Sequence, residues 1–185
     1  MAKNNYTEIE GWCEEEITTL YDRAIREAKD GSVFVEIGCY KGKSTCYMID
    51  AIKRSGKKIS FYVFDNFSTL GDVEQEFLDN LGGDRLSRIK FLKRDSVVAS
   101  RRFEDSSVDF VFIDTDHYAS QLSKELVAWI PKMKSGGLVS GHDHHHNDLK
   151  DAFDIVGVGL YNVIYSKVIH LGEGTFRGSS WWFIK

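Results

Sequence analysis

Five acidic residues, Glu36, Asp65, Asp95, Asp114 and Asp143, each stand at or just past the end of a short apolar run rich in Val, Ile, Leu and Phe. Between those runs lie amphipathic segments of helical period, so strand and helix alternate almost from end to end. A chain with that order folds as a mostly parallel sheet with helices on both faces. The five acids then share the carboxyl edge of the sheet, where open α/β sheets bind ligands. One acid there could be a helix cap and nothing more. Five in succession concentrate negative charge along one rim, and a cation, a cationic ligand or several hydroxyls must offset it.

The runs predict strands at residues 33–37, 59–64, 89–92, 108–113 and 138–140. Helices are predicted at 43–53, at 72–81 (stopped by Gly82-Gly83), briefly after Ser96, and at 120–131. A leading segment, 7–29, carries apolar residues at helical spacing and reads as a helix or helix pair. A short helix at 148–156 precedes two strand-like runs, 162–171 and 180–184, which suit an antiparallel hairpin on the sheet edge. Trp181, Trp182 and Phe183 alternate along the last run, so neighbouring aromatics face opposite ways. With no repeat or linker, residues 1–185 form one domain: an N-terminal helical segment, 1–31, and an α/β core, 32–185.

A formal charge of −4 argues against a dedicated nucleic-acid surface. The local basic pairs Lys53-Arg54, Lys57-Lys58 and Arg101-Arg102 fall at helix ends and loops and read as solvated. The three cysteines, Cys13, Cys39 and Cys46, lack CxxC or zinc-finger spacing and read as free thiols in a reducing compartment. The polar start lacks a signal-peptide core and no apolar run reaches membrane-spanning length, so the expectation is a soluble, cytoplasmic protein.

Residues 33–44, VFVEIGCYKGKS, carry the sharpest motif: a buried strand ending in an acid, a glycine turn, and a hydroxyl that opens a helix. Gly38 suits a tight turn and Gly42 a helix start close to a bound group, while the helix N-terminus offers N–H groups. The dinucleotide pattern GxGxxG wants a second glycine at position 40, where this chain has Tyr40. A pyrophosphate pressed on that turn would collide with the ring; a nucleoside without phosphate would not. Asp65, ending the second strand, is placed to accept hydrogen bonds from ribose hydroxyls. Asp95 and Ser96, after the third, could meet an adenine edge or cap the next helix.

The segments 35–44, Phe64-Asp65, 108–117, 129–143 and the closing 180–185 together resemble class I S-adenosylmethionine-dependent methyltransferases. Among these the resemblance is to the catechol-type and the sugar and antibiotic O-methyltransferases. It implies a Rossmann-like, seven-stranded, mostly parallel sheet with an antiparallel C-terminal strand and the cofactor S-adenosylmethionine across the carboxyl edge. Glu36, Gly38, Gly42 and Ser44 would hold the methionine portion, with Tyr40 in the turn beside them, and Asp65 the ribose. Catechol-type enzymes hold a divalent metal, which here would fall to Asp114, Asp143 and His144. His144 stands where an amide is usual, which widens the choice from Mg²⁺ to Mn²⁺ or another transition metal. His117, three places after Asp114, takes the position of the general base.

The expected reaction is methyl transfer to a hydroxyl of a small molecule: a sugar, a phenol or a natural-product intermediate. His142, His144, His145 and His146 around Asp143 suit a transition-metal site or a polar loop equally. The limited material for a substrate lid leaves either an open pocket or a partner subunit, as in a homo-oligomer, that completes it. Two other readings are a non-catalytic nucleoside- or metal-binding module of the same fold and a nicotinamide-dependent oxidoreductase; Tyr40 counts against the latter.

Overall fold

The computed structural model describes residues 5–68, 73–116, 118–142, 152, 164–169 and 180–185. The strands are β1 (Val33–Ile37), β2 (Ser60–Asp65), β3 (Ile89–Lys93), β4 (Val108–Ile113), β5 (Met133–Gly141), β6 (Ile164–Ile169) and β7 (Ser180–Ile184). They form one seven-stranded sheet in the order β3-β2-β1-β4-β5-β7-β6. The pairs among β1 to β5 are all parallel, and β7 runs antiparallel to both β5 and β6. The strand order reverses between β1 and β4, which opens a crevice there at the carboxyl edge.

The helices are α1 (Glu15–Glu27), α2 (Lys43–Ser55), α3 (Glu74–Leu86), α4 (Ser96–Ser100) and α5 (Ala119–Trp129). The pleat sends successive strand residues to opposite faces. Phe34, Phe61, Phe110 and Phe112 pack with Ile17, Leu20, Tyr21 and Met48 of α1 and α2. Val35, Ile37, Val111 and Ile113 pack with Leu122, Leu126 and Trp129 of α5. On β7 the alternation holds: Trp181 and Phe183 belong to the α5 face, and Trp182 turns to the α1 face, where Arg23 lies 4.0 Å over its ring. Glu36 falls on the α1/α2 face between Phe34 and Gly38, so the pleat aims its carboxylate beneath two helices and away from the crevice.

Two expectations are corrected. The leading segment is not continuously helical. Among the described residues only a 3-10 turn, Tyr6–Glu8, precedes α1, and Trp12 lies on the non-helical stretch between them. The expected stop at Gly82 is present inside α3: that glycine leaves the helical region at a φ of 64° and ψ of 174°, and a separate short helical piece follows it to Leu86. Lys57, read as solvated, instead donates to the carbonyls of Ile25, Arg26 and Ala28 at 2.6, 3.0 and 2.7 Å. It thereby closes the C-terminus of α1, the helix end a cation suits. The helix expected at 148–156 lies almost wholly outside the described residues.

Candidate active site

Backbone bonds carry the ladders past the strand ends on both sides of β1: Asp114 N–H donates to the Ile37 carbonyl at 2.8 Å from the β4 side, and Gly38 N–H donates to the Phe64 carbonyl of β2 at 2.9 Å. A Cβ at Gly38 would overlap the backbone oxygen of Asp114, and its φ is +83°, so only glycine fits. Tyr40 follows in the left-handed region at φ 47°. Gly42 N–H closes the turn onto the Cys39 carbonyl at 2.7 Å.

Asp65 holds that turn. Its Oδ2 accepts from the amides of Cys39 at 2.8 Å and Tyr40 at 3.0 Å, and its Oδ1 from Phe67 at 2.7 Å. A carboxylate offers about four lone-pair directions; three go to these amides, and the Cys39 thiol also bonds the carboxylate. The amides of Cys39 and Tyr40 in the turn are therefore satisfied by Asp65. A phosphate brought to them would meet a carboxylate already in its place, which adds a second argument against a pyrophosphate to the one made by Tyr40.

Two expected ligand contacts are internal supports instead. Glu36 is fully buried and accepts from the hydroxyls of Tyr21 at 2.9 Å, Ser44 at 2.6 Å and Thr45 at 2.6 Å. Burial raises its carboxyl to about 7, against the pull of those three donors. Gly42 makes room for α3: a Cβ there would lie 2.5 Å from Leu81 Cδ1 and 3.0 Å from Phe77 Cδ2. Neither residue lines the crevice; both set the geometry of the turn and of α2.

The crevice holds two adjoining cavities. The larger, about 260 Å³, is walled by Gly38, Cys39, Tyr40, Lys43 and Ser44 of the turn, with Asp65, Phe67 and Val73, and by Asp114, Thr115 and Asp116 after β4. Gly11 and Trp12 complete it from the N-terminal stretch. That stretch is strapped down by Lys43 Nζ on the Gly11 carbonyl at 2.9 Å and by Lys41 Nζ, which bridges Glu10 at 2.8 Å and Glu76 at 2.9 Å. Trp12 lies over Tyr40, ring centroids 5.6 Å apart. Cys39 is no nucleophile: burial, with the charges of Asp65 and Glu36 next, pushes its thiol well up.

The smaller cavity, about 150 Å³, shares Gly38, Asp65, Thr115 and Asp116 with the first and adds Asn66, Asp95, Ser96, Gln121 and Glu125. Asp95 caps α4, accepting from Val98 N–H at 2.9 Å, and also stands on the cavity wall. Ser96 donates its hydroxyl to Glu125 Oε1 at 2.5 Å. Thr115 donates to Glu125 Oε2 at 3.0 Å and Gln121 Nε2 to Oε1 at 3.1 Å. Glu125 is fully buried, and burial raises its carboxyl above the ordinary glutamate value. Sequence reasoning missed this hub. Gln121 and Glu125 share a face of α5 one turn apart, but nothing local links them to Ser96, 29 residues before Glu125.

Asp114 and Asp116 are thus brought to the crevice. His117, Asp143 and His144, with His145 and His146, lie outside the described residues. Among the described residues no group of three His, Cys, Asp or Glu side chains could hold a metal ion. His142, at the end of β5, is 1% exposed, with Nε2 3.8 Å from Glu14 Oε2. Among the described residues no helix is long and apolar enough to cross a membrane.

Solved structures of distantly related sequence share this fold. An S-adenosylmethionine-dependent O-methyltransferase from Thermotoga maritima superposes with a TM-score of 0.66 at 12% identity, over 96% of this chain and 68% of its own. A precorrin 8w decarboxylase from Methanobacterium thermoautotrophicum gives 0.65 at 16%, over 100% and 96%. Fibrillarin from Aeropyrum pernix, solved with natively bound S-adenosyl-L-methionine, gives 0.62 at 16%, over 84% and 67%. No curated protein matches by sequence. Residues 35–144 match the family model described as a methyltransferase domain. That span runs from within β1 past the end of β5 and contains the turn and every lining residue of the two cavities except Gly11 and Trp12, and the chain accordingly belongs to the methyltransferase family, with the class I S-adenosylmethionine-dependent fold.

Proposed function

We propose that the chain transfers a methyl group from S-adenosylmethionine to a hydroxyl of a small molecule. The observation that carries this reading is the pair of cavities joined across Gly38, Asp65, Thr115 and Asp116. An elongated nucleoside fits them end to end, with its base beside Asp95 and Gln121 and its amino-acid tail beside Ser44. When bound, that cofactor supplies an electrophilic methyl on a sulfonium.

The chain's own residues divide the remaining work. Asp65 accepts one ribose hydroxyl in exchange for its weak bond from the Cys39 thiol, without releasing a turn amide. Ser44, its proton given to Glu36, offers only acceptor capacity to the cavity and so suits an ammonium group. Trp12 and Tyr40 cover the larger cavity and limit water there, which strengthens the field of Asp114 and Asp116 on a cationic centre. His117 takes the acceptor's proton in this reading. Asp114, Asp143 and His144 would hold a divalent ion, Mg²⁺, Mn²⁺ or another transition metal, whose charge favours an ionised hydroxyl.

Calorimetric titration of the metal-stripped protein with S-adenosylhomocysteine, with and without Mg²⁺ or Mn²⁺, tests the cofactor. Saturable micromolar binding is expected, and a separate metal heat supports the ion site. Transfer of labelled methyl groups to a panel of sugars, phenols and amines then tests the acceptor. Absence of nucleoside binding under both conditions refutes the proposal; transfer to amines alone replaces the hydroxyl by a nitrogen.

A further inference from the structure

We infer that Gln121, oriented by Glu125, reads the exocyclic amino group of the bound nucleobase and makes the site selective for a 6-amino over a 6-oxo purine. The inference rests on the nucleoside reading above and deepens it, since it assigns a specificity residue that the sequence motifs do not contain.

The argument is one of donor and acceptor bookkeeping. Glu125 receives the hydroxyl protons of Ser96 and Thr115. Gln121 Nε2 lies 3.1 Å from Glu125 Oε1 and 3.5 Å from Ser96 Oγ. Ser96 has one hydroxyl proton, spent on Glu125, so both neighbours of the Gln121 amide are acceptors. Turned over, the amide would set its carbonyl oxygen against a carboxylate oxygen. The network thus fixes which way the amide points. Its Oε1 accepts nothing among the described residues, and the side chain lines the smaller cavity. A base there meets a fixed acceptor, with the Asp95 carboxylate as a second on the same wall. An amino group has two N–H donors for two acceptors; a 6-oxo group offers both only a lone pair.

Glu125 is a positioning residue in this account: although it borders the cavity, the donors from Ser96, Thr115 and Gln121 already occupy its carboxylate. The test is titration of the full chain with S-adenosylhomocysteine and with S-inosylhomocysteine, for the wild type, Gln121→Met and Glu125→Gln. The wild type should prefer the adenosyl ligand by about tenfold or more, the worth of one hydrogen bond plus an opposed pair of acceptors. Gln121→Met should cut that ratio to about threefold with little change in thermal midpoint. Glu125→Gln should also lower it although Gln121 is intact, because the amide can then turn over; a merely structural role for Glu125 would weaken both ligands alike. Binding of S-adenosylhomocysteine with the same ratio in wild type and Gln121→Met overturns this inference and leaves the proposed function standing. Binding of neither ligand to the wild type overturns both.

Discussion

Replacing Glu36 by glutamine should flatten part of the protein's stability against pH. The ordinary glutamate value is 4.5, and burial lifts the folded value to about 7. A raised acid holds its proton more tightly in the folded state, so its stabilising contribution is complete below 4.5 and is lost as pH climbs through about 7. Integrated between pH 5 and pH 8, the loss is on the order of 2.5 kcal/mol. The amide introduced by Glu36→Gln cannot ionise but can keep the network: its oxygen accepts from Tyr21 and Ser44, and Thr45 can rotate to accept from its N–H. Urea midpoints at about pH 5, 6, 7 and 8 for wild type and Glu36→Gln, converted with a common slope, check it. The variant should gain about 2.5 kcal/mol relative to wild type across that range. The difference between the two proteins cancels the titrating groups that are not coupled to Glu36. Parallel curves would refute the reasoning and show that the three hydroxyls hold Glu36 ionised throughout.

Three further outcomes are expected. Gly38→Ala should destabilise by about 3 kcal/mol or more, seen in thermal melts, because it combines a positive φ with overlap of the Asp114 carbonyl; a change below about 0.5 kcal/mol would mean the turn relaxes freely. Asp65→Ala strips acceptors from three amides and should weaken S-adenosylhomocysteine binding by about tenfold to a hundredfold as well as lower stability; an unaltered dissociation constant would place the ribose elsewhere. His117→Ala should cut turnover by about a hundredfold or more with cofactor affinity nearly intact, and unchanged turnover would remove His117 from the reaction.

Much of this architecture is written locally. Apolar runs such as 108–113 commit to strands and the glycine turn at 38–42 to a crevice, because period and turn chemistry act over a few residues. The same locality made Asp65 and Asp95 legible as crevice residues, since each ends or follows a strand at the carboxyl edge. What sequence alone left undecided is which way each polar group faces and whom it meets. Glu36 looked like a ligand contact but is turned beneath α1 by the pleat, where Tyr21, 15 residues earlier, completes its shell. Gly42 looked like a site for close approach to a ligand, and the body it approaches is α3. Trp12 is brought to the crevice by two lysine contacts reaching about thirty residues along the chain. Glu125 and Gln121 had no local signature, because their partners Ser96 and Thr115 come from other elements. Hydrogen-bond partnership is a property of space, and the sheet order that brings α4 beside α5 exists only once the chain has folded.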